Sequence, residues 1–201
     1  AALKQMIRQA CAGLNALGVT SCQSDDFCAF ENVDWRDVLA AFQEVEAEGG
    51  LTVRVYEQSQ FTTPAGLQSF LDMGYTTGTG SELFKIGPLK LLGDGSLGAR
   101  TAYLSGTYAD APGEKGLAIF TQEQFNELIT LAHTHNMDAA IHAIGDGILD
   151  RVLHAYEKAL AACPREDHRC GVIHVQLTRP EQLQRMADMH LHAYIQSIFL
   201  D

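Results

Sequence analysis

Two histidines end consecutive predicted β-strands and are the first candidates for chemistry. His142 follows the run Asp138–Ile141, and His174 follows Gly171–Ile173. Because neighbouring strands lie about 4.8 Å apart, two imidazoles at the same edge of a sheet can reach one ion. Neutral imidazole is a common metal ligand, and a strand end holds it rigidly. The pair predicts a metal site, with a hydrogen bond to a nearby loop as the structural alternative for each ring.

Lys90 is the third candidate, because it lies within the otherwise apolar strand segment Leu89–Leu92. An unpaired ammonium group is costly to bury, so this lysine needs a partner, a modification or a route to water. Four interpretations stay open from the residues alone. The side chain reaches solvent, pairs with Asp94, acts as a base of lowered pKa, or becomes a carbamate that binds metal through oxygen.

A glycine-rich segment, Gly93–Gly98, follows this strand and matches the spacing GxGxxG. A dinucleotide fingerprint requires a helix to open at its last glycine, but residues 99–116 contain several glycines and a proline and no helical apolar stripe. We therefore interpret the glycines as positions where the backbone turns sharply beside a ligand. The long connection 93–116 follows a strand and lies at the carboxyl edge of the sheet, where α/β proteins place active sites.

Helical and strand periodicities alternate along the whole chain and indicate the α/β class with a parallel sheet. Strands are predicted over 19–22, 51–56, 84–92, 137–142, 169–174 and 192–196. Helices are predicted over 3–17, 34–47, 64–73, 121–135, 146–162 and 179–188. Six such units form either a doubly wound open sheet or six eighths of a (β/α)8 barrel, and periodicity alone does not choose between them.

Composition narrows the class of protein. The chain has 201 residues, 46% of them hydrophobic and 19% charged, with a net charge of −11, which predicts a single globular domain over residues 1–201. The negative charge argues against nucleic acid and anionic membranes as partners, and no stretch approaches the roughly 20 apolar residues of a membrane span. The five cysteines form no CxxC pair and are expected to be free thiols, consistent with a cytoplasmic location.

Three segments together resemble one branch of the amidohydrolase superfamily, the branch that includes the N-substituted formamide deformylases. They are Lys90–Ala102 (KLLGDGSLGARTA), His142–Asp146 (HAIGD) and Ile173–Gln176 (IHVQ). Each is weak alone, and their combination is specific. Gly18–Ser21 is similar to the second barrel strand of that family, so the resemblance extends over nearly the whole chain.

The resemblance implies a metal-bearing (β/α)8 barrel that hydrolyses amide or related C–N bonds of small molecules. It identifies Lys90 with the strand-four lysine, often carboxylated, and His142 and His174 with the histidines of strands five and six. These three would hold the second metal of a two-metal centre, zinc in the first instance, although manganese, iron and nickel suit the same ligands. A metal-bound water has a pKa near 7 and supplies the hydroxide for such reactions.

The chain departs from the family pattern at both ends. The family has an HxH pair on strand one and an aspartate on strand eight, whereas the HxH spacings here are His133–His135 on a predicted helix and His190–His192 near the last strand. We therefore expect a piece corresponding to strands two to seven, with little or no hydrolase activity by itself. Two open sheet edges would also favour association with another copy.

Four further residues are expected at the substrate pocket. Asp94, Ser96 and Arg100 follow the strand-four lysine, and Arg100 either pairs with Asp94 or binds a substrate carboxylate. Asp146 opens a helix and is predicted either to cap it or to line the pocket. Two other functions stay open for the chain, a metal-free small-molecule-binding domain and a barrel deaminase or isomerase.

Overall fold

The computed structural model describes residues 1–30 and 32–199 and alternates helices with strands. The strands are β1 Ser21–Ser24, β2 Arg54–Gln60, β3 Phe84–Leu92, β4 Ala139–Ala143, β5 Gly171–His174 and β6 His192–Tyr194. The helices are α1 Ala2–Ala16, α2 Trp35–Ala47, α3 Pro64–Leu71, α4 Gln122–Thr134, α5 Asp146–Ala162 and α6 Pro180–Asp188. Short 3-10 turns cover Asp26–Cys28 and Ser197–Phe199.

Local sequence signals explain where several helices begin. The Asp34 side chain accepts the Arg36 backbone N–H at 2.8 Å and caps α2. Thr121 and Gln124 form a reciprocal capping box at the start of α4, which satisfies two backbone N–H groups. The predicted helix bounds are accordingly met within about two residues, although strand β2 begins three residues later and ends four residues later than predicted.

The six strands form one parallel sheet in the order β1-β2-β3-β4-β5-β6. A doubly wound sheet reverses its strand order at a switch point, and this sheet has no reversal among the described strands. Sequential order is the order of a (β/α)8 barrel, so the prediction of an α/β partial barrel is confirmed. All six carboxyl ends lie at the same edge of the sheet.

The two faces of the sheet differ. Leu89, Leu91 and Ile141 are fully buried between the sheet and the helices. The Tyr156 hydroxyl on α5 donates to the backbone carbonyls of Ala139 at 2.9 Å and Gly171 at 2.8 Å and fixes this helix across two strands. Lys90 alternates with Leu89 and Leu91 and therefore lies on the opposite face, the face that lines the inside of a barrel.

Two expectations from composition concern the rest of the chain. Every cysteine is a free thiol, and Cys163 and Cys170 are not bridged. Within residues 1–30 and 32–199, none of the helices is both long enough and apolar enough to cross a bilayer.

Candidate metal centre

The structure brings the predicted histidines together at the carboxyl edge of the sheet. The rings of His142 on β4 and His174 on β5 have centroids 4.4 Å apart and planes at 76° to each other. Leu92 pairs in register with His142, and Lys90 lies two residues earlier on the same face of β3. Lys90 is therefore one step deeper in the sheet than the imidazole pair, by about 7 Å along the strand.

Strand register alone would separate the two rings. His142 pairs with Ile173, and His174 pairs with Ala143, so regular alternation would direct the two histidines to opposite faces. The backbone of His174 instead has φ of +80°, followed by Val175 at +49°. This left-handed backbone conformation is uncommon for residues other than glycine, and it interrupts the pleat at the end of β5. The conformational strain there accompanies the approach of His174 to His142.

Each imidazole uses one ring nitrogen in the described structure. His142 Nε2 donates to the Gly95 carbonyl at 3.0 Å and lies 3.2 Å from Asp94 Oδ1. His174 Nδ1 donates to Gln196 Oε1 at 2.6 Å. His142 Nδ1 and His174 Nε2 have no hydrogen bond to any described residue, so a lone pair on each is available to a ligand. Burial lowers the pKa of His174, and the neighbouring His142 and Lys90 act in the same direction.

Lys90 is 7% exposed, and its amine has no hydrogen bond or ion pair with residues 1–30 or 32–199. Burial lowers the pKa of Lys90, and the carboxylate of Asp25 partly opposes that shift. Its neighbours in register are Gln60 on β2 and Ala140 on β4.

Lys90, His142 and His174 fit a divalent ion if the lysine is not a charged ammonium group. Within the described ranges, no group of three His, Cys, Asp or Glu side chains is arranged to hold a metal. The candidate donors at the carboxyl edge of the sheet are instead the imidazoles of His142 and His174 and the amine of Lys90. A lysine that has lost its proton, or that carries a carbamate oxygen, completes a mixed nitrogen and oxygen set of the kind that zinc accepts.

The predicted substrate residues on the loop after β3 differ in their exposure to solvent. Asp94 is 2% exposed, whereas Ser96 is exposed to solvent. Arg100 donates to Asp110 Oδ2 from Nε at 3.1 Å and from Nη2 at 2.7 Å, and both side chains are more than half exposed. The alternative in which Arg100 pairs with Asp94 is therefore wrong, because the Asp94 carboxylate is buried and binds backbone N–H groups instead.

Asp146 braces neighbouring segments. The N-cap of α5 is Gly145, so the prediction that Asp146 caps this helix is wrong by one residue. The Asp146 carboxylate accepts the Ser105 backbone N–H at 2.9 Å and also bonds the Ser105 hydroxyl and the Arg179 guanidinium. These bonds lower the pKa of Asp146 against the opposing effect of its partial burial.

Sequence reasoning missed two groups that contact the histidines. Gln196 follows β6, the strand next to β5, and its side chain holds His174. The position directly after the next strand was the available signal, because side chains at that edge converge. The Gly95 carbonyl, which accepts from His142, had no signal, since a backbone group carries no residue identity.

This chain is similar to known proteins along its whole length. A family model described as the amidohydrolase family matches residues 1–201. The protein LONG AFTER FAR-RED 3 of Arabidopsis thaliana is 29% identical over 167 residues, which cover 83% of this chain and 28% of that protein. YtcJ of Bacillus subtilis (strain 168) is 35% identical over 116 residues, 58% of this chain and 21% of that protein. The chain thus spans less than a third of the length of these relatives.

Two solved structures share the fold over almost the whole chain. An uncharacterized metal-dependent hydrolase from Pyrococcus horikoshii has a TM-score of 0.80 and 29% identity, covering 98% of this chain and 37% of that one. A second from Pyrococcus furiosus has a TM-score of 0.76 and 29% identity, covering 94% of this chain and 37% of that one. The six parallel strands therefore correspond to part of the barrel of a metal-dependent hydrolase.

Proposed function

Because this chain belongs to the amidohydrolase family, we propose that the whole protein hydrolyses an amide or formamide-type C–N bond of a small molecule in a metal-dependent reaction. The observation that carries the proposal is the pair of imidazoles at the carboxyl edge, which present His142 Nδ1 and His174 Nε2 without other partners in the described chain. Lys90 lies on the same barrel-lining face as His142.

We assign Lys90, His142 and His174 as the ligands of one divalent ion, with zinc as the first candidate. Lys90 acts as a carbamate, which forms when the neutral amine attacks carbon dioxide, gains a carboxylate and releases one proton. Burial of Lys90 and the absence of a carboxylate partner among the described residues support this form over a charged ammonium.

A divalent ion held there supplies a bound water of lowered pKa and polarises a carbonyl oxygen of the substrate. The chain's own residues fix the geometry. Gly95 and Gln196 hold the two imidazoles through His142 Nε2 and His174 Nδ1, which would leave the other ring nitrogens for the ion. The strained backbone at His174 keeps its ring within reach of His142.

Substrate contacts are proposed for the exposed part of the loop after β3. Ser96 and Arg100 offer a hydroxyl and a guanidinium to solvent, and the guanidinium suits a substrate that carries a carboxylate. Asp94 and Asp146 support this loop from below by binding its backbone at Tyr103 and Ser105. We assign the reaction to the cytoplasm, where the free cysteines are stable.

The test uses the full-length protein, loaded with zinc and assayed against N-formyl and N-acyl amines. We expect hydrolysis that chelation abolishes and added metal restores. Lys90→Ala, His142→Ala and His174→Ala should each reduce both metal content and kcat/KM, by more than the roughly 10–100-fold that removal of an outer partner costs. His154→Ala is the matched control, because His154 is an exposed histidine on α5.

Two results would contradict the proposal. Metal content that is unchanged in all three variants would remove these residues from the metal site. Turnover of only ring deamination or isomerisation substrates, with no amide hydrolysed, would reject the reaction class. An assay of the 201-residue chain alone tests whether its three ligands suffice for any hydrolysis.

A further inference from the structure

The buried carboxylate of Asp94 has an unusual set of partners. It follows β3 and is 2% exposed. Its Oδ2 accepts the backbone N–H groups of Tyr103 and Gly145, both at 2.8 Å, and its Oδ1 accepts the N–H of Ile144 at 3.1 Å. Three backbone donors from two separate segments therefore converge on one side chain. Three backbone hydrogen bonds hold this carboxylate in one orientation.

Close backbone packing fixes the position of this carboxylate further. A Cβ at Gly93 would lie 2.6 Å from the His142 carbonyl oxygen, and a Cβ at Gly95 would lie 2.0 Å from Thr101 Oγ1. A Cβ at Gly145 would lie 2.0 Å from the Tyr103 carbonyl oxygen. These approaches exclude any larger residue, so Asp94 is held between two segments that only glycine allows to meet.

The same carboxylate reaches a proposed metal ligand. Asp94 Oδ1 lies 3.2 Å from His142 Nε2, and the Gly95 carbonyl accepts from that nitrogen at 3.0 Å. A backbone carbonyl can only accept, and the Asp94 oxygens already accept three backbone N–H groups. The proton of a neutral His142 ring therefore belongs on Nε2, which leaves the lone pair on Nδ1.

We propose that Asp94 is a positioning residue that sets the tautomer and ring orientation of His142. This inference rests on the function proposed above, since it assigns His142 Nδ1 as the metal-binding atom. Asp94 also joins the loop up to Tyr103 to the end of β4, so the substrate-facing loop and the metal ligand are held by one carboxylate. Direct contact of Asp94 with substrate is disfavoured, because the side chain is buried and both oxygens are occupied.

The experiment measures ring tautomers in the metal-free protein by long-range proton–nitrogen NMR of 15N-labelled histidine. We expect His142 to carry its proton on Nε2 and His174 to carry its proton on Nδ1. In Asp94→Asn the side-chain NH2 group, a donor, faces the backbone N–H groups and the His142 N–H, which are donors too. His142 should then populate both tautomers, while the tautomer of His174 is unchanged. Affinity for zinc should fall by about 10–100-fold, the range typical of outer partners of a metal ligand.

Asp110→Asn is the matched control, because Asp110 is an exposed aspartate near the same loop and pairs only with Arg100 among the described residues. It should leave the tautomer of His142 and the affinity for zinc unchanged. A His142 ring protonated on Nδ1 in the unmodified protein would overturn the inference without any variant. So would an Asp94→Asn protein that only melts earlier, with the same tautomer and the same zinc affinity.

The readout separates this inference from the proposed function. The tautomer is measured without metal or substrate, so it stands even if no amide is hydrolysed. If Asp94→Asn does not fold, a proton on Nδ1 of His142 in the unmodified protein still overturns the inference.

Discussion

Histidines and charged groups collect at both ends of the parallel sheet, but their partners differ. At the amino end, His133 Nε2 donates to the Cys163 carbonyl at 2.7 Å, and its Nδ1 accepts from the Arg165 guanidinium at 3.3 Å. Arg165 also binds Asp138 Oδ1 at 2.9 Å. At the carboxyl end, each of the two paired imidazoles keeps one nitrogen without a described partner.

The number of ring nitrogens with a protein partner distinguishes a structural histidine from a candidate ligand better than burial does. Burial lowers the pKa of His133 and of His174 alike, so both favour the neutral ring. Both nitrogens of His133 are engaged by the protein, and its contribution is to stability. His174 keeps a lone pair directed away from Gln196, and a neutral imidazole of this kind can bind a cation.

The largest expected effect is at the amino end. Asp138→Asn removes the buried carboxylate that pairs with Arg165, and breaking one partner of a buried pair costs roughly 3–5 kcal/mol. We expect the lower part of that range, because Arg165 is partly exposed. Chemical denaturation measures the loss, and the affinity for zinc should not change.

Asp167→Asn is the control at the same end of the sheet, since Asp167 pairs with Arg169 in solvent. Its free energy of unfolding should match that of the unmodified protein. Loss of zinc binding in Asp138→Asn with the fold intact would contradict the division of roles between the two ends.

A second prediction concerns Glu57, a buried glutamate on β2. Glu57 is fully buried, and its Oε2 has no partner among the described residues. Burial, followed by the nearby Asp26 carboxylate, raises the pKa of Glu57 from 4.5 to about 8. Between these values the folded chain binds a proton that the unfolded chain releases. The free energy of unfolding should therefore fall as pH rises from about 5 to about 8, by at most about 1.4 kcal/mol per pH unit.

Glu57→Gln should remove this slope, because glutamine keeps an acceptor for the Asp26 backbone N–H and does not titrate. The measurement is denaturant unfolding at several pH values. Glu82→Gln, at an exposed glutamate, should keep the slope of the unmodified protein. An unchanged slope in Glu57→Gln would show that Glu57 is already ionised in the fold.

The smallest effect on stability is expected for Arg100→Ala. Its ion pair with Asp110 is exposed to solvent, and such pairs contribute little to folding. The melting temperature should not change, whereas KM for a substrate that carries a carboxylate should rise with kcat unchanged. An unchanged KM would remove Arg100 from the substrate contacts.

Patterns in consecutive residues predict the alternation of helices and strands and single out the candidate ligands. Apolar periodicity places β3 over Phe84–Leu92 and α5 over Asp146–Ala162 at the bounds that the structure has. The resemblance to the amidohydrolase superfamily, carried by the segments that contain Lys90, His142 and His174, agrees with the family match. These features are local, because side-chain periodicity and short motifs are written in consecutive residues.

The way in which these residues meet depends on the tertiary fold. The sequential strand order distinguishes a barrel from a doubly wound sheet, and no periodicity carries strand order. The positive φ of His174 brings its ring to His142 against the alternation of the strand. Burial of Asp94 under Tyr103 and Gly145 depends on segments up to 51 residues away along the chain. Contacts between distant segments arise from packing, which local sequence patterns do not encode.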